Sequence, residues 1–216
     1  MKRIVIAAIL MLAVIFTATP AKAEGVGSVF GNLMTAQALG QGKGDFTAGV
    51  GIADATSFFG QFNYGLSQYM NGRLKVGLAD PGEGADTKLV LGADLMWQIW
   101  DYTGAPENKH PFDMALGGMF EWADYEFISV IELGGFALGS YPIVMQNGSV
   151  LTPYGRFGIR WENVDFDFPG AESNSDLEFG INGGLEWEIT DATSLFGEFQ
   201  FDGNDGVFFG VNFNGM

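Results

Sequence analysis

Between Leu177 and Ile189 large apolar side chains alternate with small or polar ones. Leu177, Phe179, Ile181, Leu185, Trp187 and Ile189 share one parity, and Glu178, Gly180, Asn182, Gly184, Glu186 and Glu188 share the other. A period of two is the signature of a β-strand with two unlike faces. Here one face is greasy and aromatic, and the other combines carboxylates with glycine. That pairing suits a barrel whose outer face meets lipid and whose narrow lumen holds small and charged groups.

The alternation recurs about ten times along the chain. It predicts strands near Asp45–Ile52, Phe58–Leu66, Arg73–Leu78, Lys88–Ile99, Phe112–Trp122, Phe127–Tyr141, Tyr154–Glu162, Leu177–Ile189, Leu195–Phe201 and Val207–Phe213. The sixth is the least regular, because Glu132 and Ser140 share a parity with Phe136 and Leu138. Turn chemistry separates the strands: Asp80 to Gly84, the Asn147-Gly148 pair, Thr190 to Thr193, and Asp202 to Gly206. Asp101–Pro111 and Asn163–Asp176 read as longer loops. The expected fold is all-β, an antiparallel up-and-down transmembrane β-barrel of about ten strands, with about eight or twelve compatible because boundaries shift by a few residues.

Alternation alone leaves open which face is inside, since a soluble lipocalin-like barrel has the same period. Arg73, Lys75, Lys88, Arg156 and Arg160 fall on the polar face of strands. Asp94, Asp113, Glu121, Glu132, Glu162, Glu178, Glu186, Glu188 and Glu198 share it, interleaved with Gly49, Gly77, Gly92, Gly117, Gly184 and Gly210. Glycine beside long charged side chains is what a crowded lumen requires. If the first strand runs outward from the periplasm, Trp122, Trp161 and Phe201 gather at the outer rim. Tyr64, Trp97, Phe112, Trp187 and Phe213 then gather at the inner rim. Two aromatic girdles of this kind flank the apolar band of membrane barrels.

The start of the chain is a different kind of segment. Lys2 and Arg3 precede an apolar run from Ile4 to Phe16, and Ala21-Lys22-Ala23 is an A-x-A cleavage site, so residues 1–23 read as a secretory signal peptide. Residues 24–43 show no period and read as a periplasmic leader, a short helix inside the pore or an extra strand; residues 44–216 form the barrel. The whole chain has 10 basic residues against 26 acidic ones, a formal net charge of −16, and cleavage after Ala23 removes three of the bases and no acid. Such a charge disfavours nucleic acid as a partner. The absence of cysteine means that no disulfide staples the fold.

Candidate chemistry is sparse. His110, in Glu107-Asn108-Lys109-His110-Pro111, is the single histidine and reads as a solvated loop residue at the inner end, since general-base work needs a partner within hydrogen-bond reach. Asp202-Gly203-Asn204-Asp205-Gly206 lacks the distal glutamate of a calcium loop and reads as a tight hairpin. Asp165, Asp167, Glu172 and Asp176 lie in the longest loop, where divalent ions shared with lipopolysaccharide are one use for them and plain solvation another. No metal site, cofactor or catalytic residue is expected.

Tyr64-Gly65-Leu66-Ser67 leading into Arg73 to Leu78, and Leu185 to Thr190 leading into Leu195 to Phe199, give the chain a resemblance to small Gram-negative outer-membrane barrels of the OmpA/OmpX type. The resemblance is one of strand, turn and strand over most of residues 44–216. It implies an up-and-down barrel with both ends in the periplasm. It also implies outer-membrane lipid, lipopolysaccharide and the outer-membrane assembly machinery as partners. One departure is the end: members of that group close on an aromatic residue, whereas Phe213 is followed here by Asn214, Gly215 and Met216. The functional expectation is a monomeric structural barrel with a charged, largely plugged lumen and no catalytic activity. A narrow cation-preferring channel and a soluble periplasmic binding barrel are the alternatives.

Overall fold

The computed structural model describes residues 27–80, 87–104, 110–125, 128–166 and 173–215. Among them the chain forms ten long strands and one two-residue strand. These are β1 Gly44–Ala53, β2 Thr56–Gly65, β3 Met70–Asp80, β4 Lys88–Trp100, β5 Asp113–Tyr125, β6 Ile128–Ser140, β7 Ile143–Val144, β8 Val150–Phe166, β9 Asn174–Thr190, β10 Thr193–Phe201 and β11 Gly206–Asn214. Neighbours pair antiparallel, β6 pairs with β8 across the short β7, and β1 pairs with β11 from Asp45 opposite Asn214 to Ala53 opposite Gly206. The sheet therefore closes on itself, and a closed ten-stranded wall has no edge with unpaired backbone groups.

The end at which β1 starts and β11 finishes is the proximal end, and it also carries the β4–β5 loop. The other is the distal end. The signal segment at residues 1–23 and the turn at residues 81–84 lie outside the described residues.

Several strands run beyond the reach of the hydrophobic pattern. β8 continues to Phe166 and β9 begins at Asn174, so much of the stretch read as the Asn163–Asp176 loop is ladder, with Glu162 opposite Asp176 and Asn163 opposite Ser175. Backbone pairing does not need apolar side chains, and the Ser175 hydroxyl adds a cross-strand bond to Asn163 Oδ1 at 2.6 Å. Both short hairpin signals form turns. Gly148 takes φ +87° in the first and Gly203 φ +107° in the second, where the Asp205 carboxylate accepts the amides of Asp202 and Gly203.

The two faces separate sharply. Outward-facing Phe58, Leu74 and Leu133 are 67%, 66% and 60% exposed, whereas inward-facing Arg73 and Glu121 are 2% and 4% exposed. This is the reverse of a water-soluble barrel with a greasy interior. In β6 the mixed parity resolves into one inward row, Glu132, Phe136, Leu138 and Ser140, all buried.

That inward row is partly apolar because the lumen is occupied. Residues 27–43 are neither helix nor wall strand: from the distal end they pass down the lumen and turn into β1. Val29, Phe30, Leu33, Met34 and Ala36 are all buried there. At the foot of this segment the Gly40 carbonyl lies so close to Gly65 that a Cβ on Gly65 would collide with it, while the Gly65 amide donates to Lys43 O at 2.8 Å. Gly65→Val is expected to lower stability by about 2 kcal/mol, read from urea unfolding of detergent-folded protein. An unchanged midpoint would show that the two backbones separate freely.

Candidate functional site

Of the fourteen charged side chains expected in the lumen, the structure buries ten: Arg73, Lys75, Asp94, Asp113, Glu121, Glu132, Arg156, Arg160, Glu162 and Glu198. Lys88, Glu178, Glu186 and Glu188 are only partly buried. Lys88 is at the distal end of β4, Glu178 faces Arg160 across the β8–β9 ladder, and Glu186 and Glu188 line a cavity at the proximal end.

The buried charges form two ion-paired groups that meet where Glu121 and Glu132 stand opposite one another on β5 and β6. In the first, β3 and β4 stand in a register that places Arg73 directly opposite Asp94. Arg73 Nε donates to Asp94 Oδ2 at 2.7 Å and its Nη2 reaches the same oxygen. Lys75 bridges Asp94 at 3.1 Å and Glu121 at 2.5 Å. In the second, Arg160 faces Glu132 at 3.5 Å, Glu162 at 3.6 Å and Asp202 at 3.4 Å. Arg156 has a different setting, with its guanidinium 4.4 Å above the Phe136 ring and Nη2 2.9 Å from Met119 Sδ. Asp113 accepts from Gln98 at 3.0 Å and from the Tyr102 amide at 2.7 Å, tying the β4–β5 loop to the wall.

Asp202, absent from the expected set, sits in the turn beyond β10. Burial pushes its carboxyl up to about 6 against the pull of Arg160, which is shared among three carboxylates. Because the folded value lies above the unfolded one, the resulting stabilisation is complete below about pH 4. It is lost as the pH rises through about 6. The unfolding midpoint is therefore expected to rise between about pH 7.5 and about pH 5, and Asp202→Asn to reduce that rise. An identical rise in parent and variant would assign the effect elsewhere.

The most extensive use of the lumen side chains is to hold the segment that runs through it. An irregular backbone away from water must find partners, and here the wall supplies them. At the distal end the Gly27 amide donates to Glu162 at 3.3 Å, and Ser28 O accepts from Gln200 at 2.6 Å and Asn204 at 3.0 Å. Below it Val29 O accepts from Ser57 and Gly31 O from Gln61, each at 2.7 Å, and Asn32 O accepts from Arg73. Toward the proximal end the amides of Ala36, Ala38 and Leu39 donate to Ser140, Gln98 and Asn71 at 3.0, 2.8 and 3.1 Å.

Glu198 is the centre of this arrangement. The consecutive amides of Asn32 and Leu33 donate to its two oxygens at 2.7 and 3.1 Å, joined by Tyr154 Oη at 2.7 Å and Asn182 Nδ2 at 3.0 Å. Leu33 adopts φ +39°, and among the described residues it is the non-glycine residue with positive φ. That conformation aims successive N–H groups at one anion, the geometry of a backbone nest. Apolar packing completes the fit: Phe30 meets Phe59 edge-on at 5.7 Å, Phe59 lies 6.3 Å from Phe208, and Lys75 Nζ sits 5.2 Å over the Phe30 ring.

Seven of the eight aromatic residues expected at the rims fall at the two ends. Tyr64, Trp97, Phe112, Trp187 and Phe213 belong to the proximal end, and Trp122 and Phe201 to the distal end. Trp161 lies further down the wall, opposite Leu133 and Leu177. His110 stacks on Trp100 at 5.5 Å with 13° between the rings, and its amide donates to Asp101 O at 3.2 Å. Among the described residues no group of three His, Cys, Asp or Glu side chains is placed to hold a metal ion. Asp165 and Asp176 sit on β8 and β9, and Asp167 and Glu172 lie outside the described residues.

No protein-family model matches the chain, and no curated protein does. Among solved structures it is similar to the N-terminal β-barrel domain of Pseudomonas aeruginosa OprF, at 15% identity over 81% of this chain and 98% of that one, with a TM-score of 0.38. It is similar also to the KdgM porin, at 9% identity over 78% and 98% of the two chains, with a TM-score of 0.39. A mutant of Rh. blastica porin aligns at 11% identity over 80% and 98%, with a TM-score of 0.19.

Proposed function

We propose that this chain is a monomeric outer-membrane β-barrel of structural function, closed by its own residues 27–40 and without catalytic activity. The observation that carries the reading is the backbone of that segment, hydrogen-bonded along the lumen to Ser57, Gln61, Arg73, Gln98, Ser140 and Glu198. A segment held on every side by charge-assisted and amide bonds is a built part of the fold, and it occupies the path a solute would take. Membrane insertion is supported by the apolar outer face, since each such side chain left in water forgoes about 1.5–3 kcal/mol. Long strands of 9 to 17 residues suffice to cross the hydrocarbon at the usual tilt. Lipid and lipopolysaccharide are then its surroundings. The outer-membrane assembly machinery, reading β11 with Phe213 as its last aromatic residue, is its route there.

Intact protein in planar bilayers is expected to give no steady current steps. Steady cation-selective steps would overturn the closed reading in favour of a narrow pore lined by the excess carboxylates. Outer-membrane fractionation, with gel mobility that changes on boiling, tests location separately. For catalysis, hydrolytic activity present in the parent and lost in His110→Ala would overturn the non-catalytic assignment.

A further inference from the structure

At the proximal end, between the foot of the lumen segment and the wall, lies a cavity of about 540 Å³. Exposed Gly42, Lys43 and Gly215 mark its mouth, so it opens to solvent. Its polar lining is rich in acceptors. Asp45 on β1 and Glu186 and Glu188 on β9 contribute three carboxylates. Asn63 is 5% exposed and its Oδ1 has no hydrogen-bond partner, while its Nδ2 already donates to Asp45 at 2.7 Å. The neighbouring Asn212 Oδ1 accepts from Thr47 at 2.9 Å while its Nδ2 donates to Asn214 at 2.7 Å, and Asn71 Oδ1 accepts from the Leu39 amide at 3.1 Å. Inside the exposed Lys43 ammonium at the mouth, what the lining leaves open is a set of anionic and neutral acceptors, and Leu33 and Phe196 add apolar surface to the same cavity.

The acceptors are spread out. Glu186 and Glu188 lie on one strand, and Asp45 with Asn63 lies on the other side of β10 and β11. Strand spacing across a curved wall puts these two poles on the order of 10 Å apart. A single metal ion cannot satisfy both, and the described residues include no triad of ligands close enough to hold one. We propose that this cavity binds a linear organic polycation, one ammonium group on Glu186 and Glu188, another on Asp45 and Asn63, and a methylene chain against Leu33 and Phe196. The site lies below the lumen segment and is reached from the proximal end, so it operates whether or not the lumen conducts.

The test uses the full chain folded in detergent, with spermidine as the probe and isothermal calorimetry as the readout. The expected result is saturable binding at one site, weakened about tenfold or more in the Glu186→Gln, Glu188→Gln double variant. A neutral diol of equal length should not bind, and magnesium at equal concentration should not displace the polyamine. Absent saturation, unchanged affinity in the double variant, or equal displacement by magnesium would each overturn the proposal. A second measurement is independent of the variant's folding. On titration of the parent, the side-chain amide resonances of Asn63 and Asn212 should shift, and shifts confined to the distal end would overturn it equally.

Discussion

Replacing Glu198 with alanine is expected to release the lumen segment from the wall and to lower stability by about 3 kcal/mol or more, since each hydrogen bond to a buried charge contributes about 1.5–3 kcal/mol. Glu198 accepts four donors, two of them the consecutive amides of Asn32 and Leu33. Without the carboxylate these amides are left unpaired away from water, and nothing then offsets the strained backbone of Leu33, which costs about 1–3 kcal/mol. Tyr154, buried and donating to the same group, loses its acceptor too. The check is urea unfolding together with hydrogen exchange, in which the Asn32 and Leu33 amides should lose protection while the β1–β11 ladder keeps its own. Unchanged exchange at those two amides would show that Glu198 is not what holds the segment.

Removing residues 27–38 is expected to convert a closed barrel into a conducting one. The wall's inter-strand ladder involves none of these residues, so the ring of backbone bonds survives the deletion. What disappears is the apolar and amide-bonded filling around Phe30 and Leu33. The exposed lumen would carry Asp94, Glu121, Glu132, Glu162, Glu198 and Asp202 against Arg73, Lys75, Arg156 and Arg160, a balance that favours cations. Planar-bilayer recording should give steady, cation-preferring steps absent from the parent. The Phe30→Glu, Leu33→Glu double variant keeps the chain length and places two charges where apolar packing is required, so it should open intermittently. Silence from both, with folding verified by heat-modifiable mobility, would mean that the wall side chains alone close the lumen.

Much of the wall was legible because a closed barrel with an apolar outer face imposes a period of two and a polarity on it. Glycines beside Arg73, Lys75, Arg156 and Arg160 marked the lumen face. The occupied lumen was harder to read, for a physical reason. The segment has irregular backbone, so its partners are amide and hydroxyl side chains scattered over several strands: Ser57, Gln61, Asn71, Gln98, Ser140 and Gln200. On an alternating pattern these count only as polar. The informative signal was the inward parity of Phe59, Phe136, Phe196 and Phe208, since a water-filled lumen gives such rings nothing to pack on. Val29, Phe30, Leu33 and Met34 are the complementary apolar set, close in sequence but without a period. Asp202 escaped because it stands in a turn, where alternation assigns no face, whereas Asp45 has the lumen parity of Thr47 and Gly49 but stands at the very start of its strand. The ends of β8 and β9 escaped because the outward apolar row stops at Trp161 and Leu177, while ladder pairing continues through Asn163, Asn174 and Ser175.

The orientation of the wall and the filling of the lumen are tested together by nuclear Overhauser contacts between lipid acyl chains and aromatic side chains of the folded protein. Phe58, Phe157, Phe179 and Phe209 should show strong acyl contacts, and Phe30, Phe59 and Phe208 contacts only to one another and to the lumen. Acyl contacts at Phe30 and Phe59, or their absence at Phe58 and Phe179, would contradict both the outward apolar face and the segment within it.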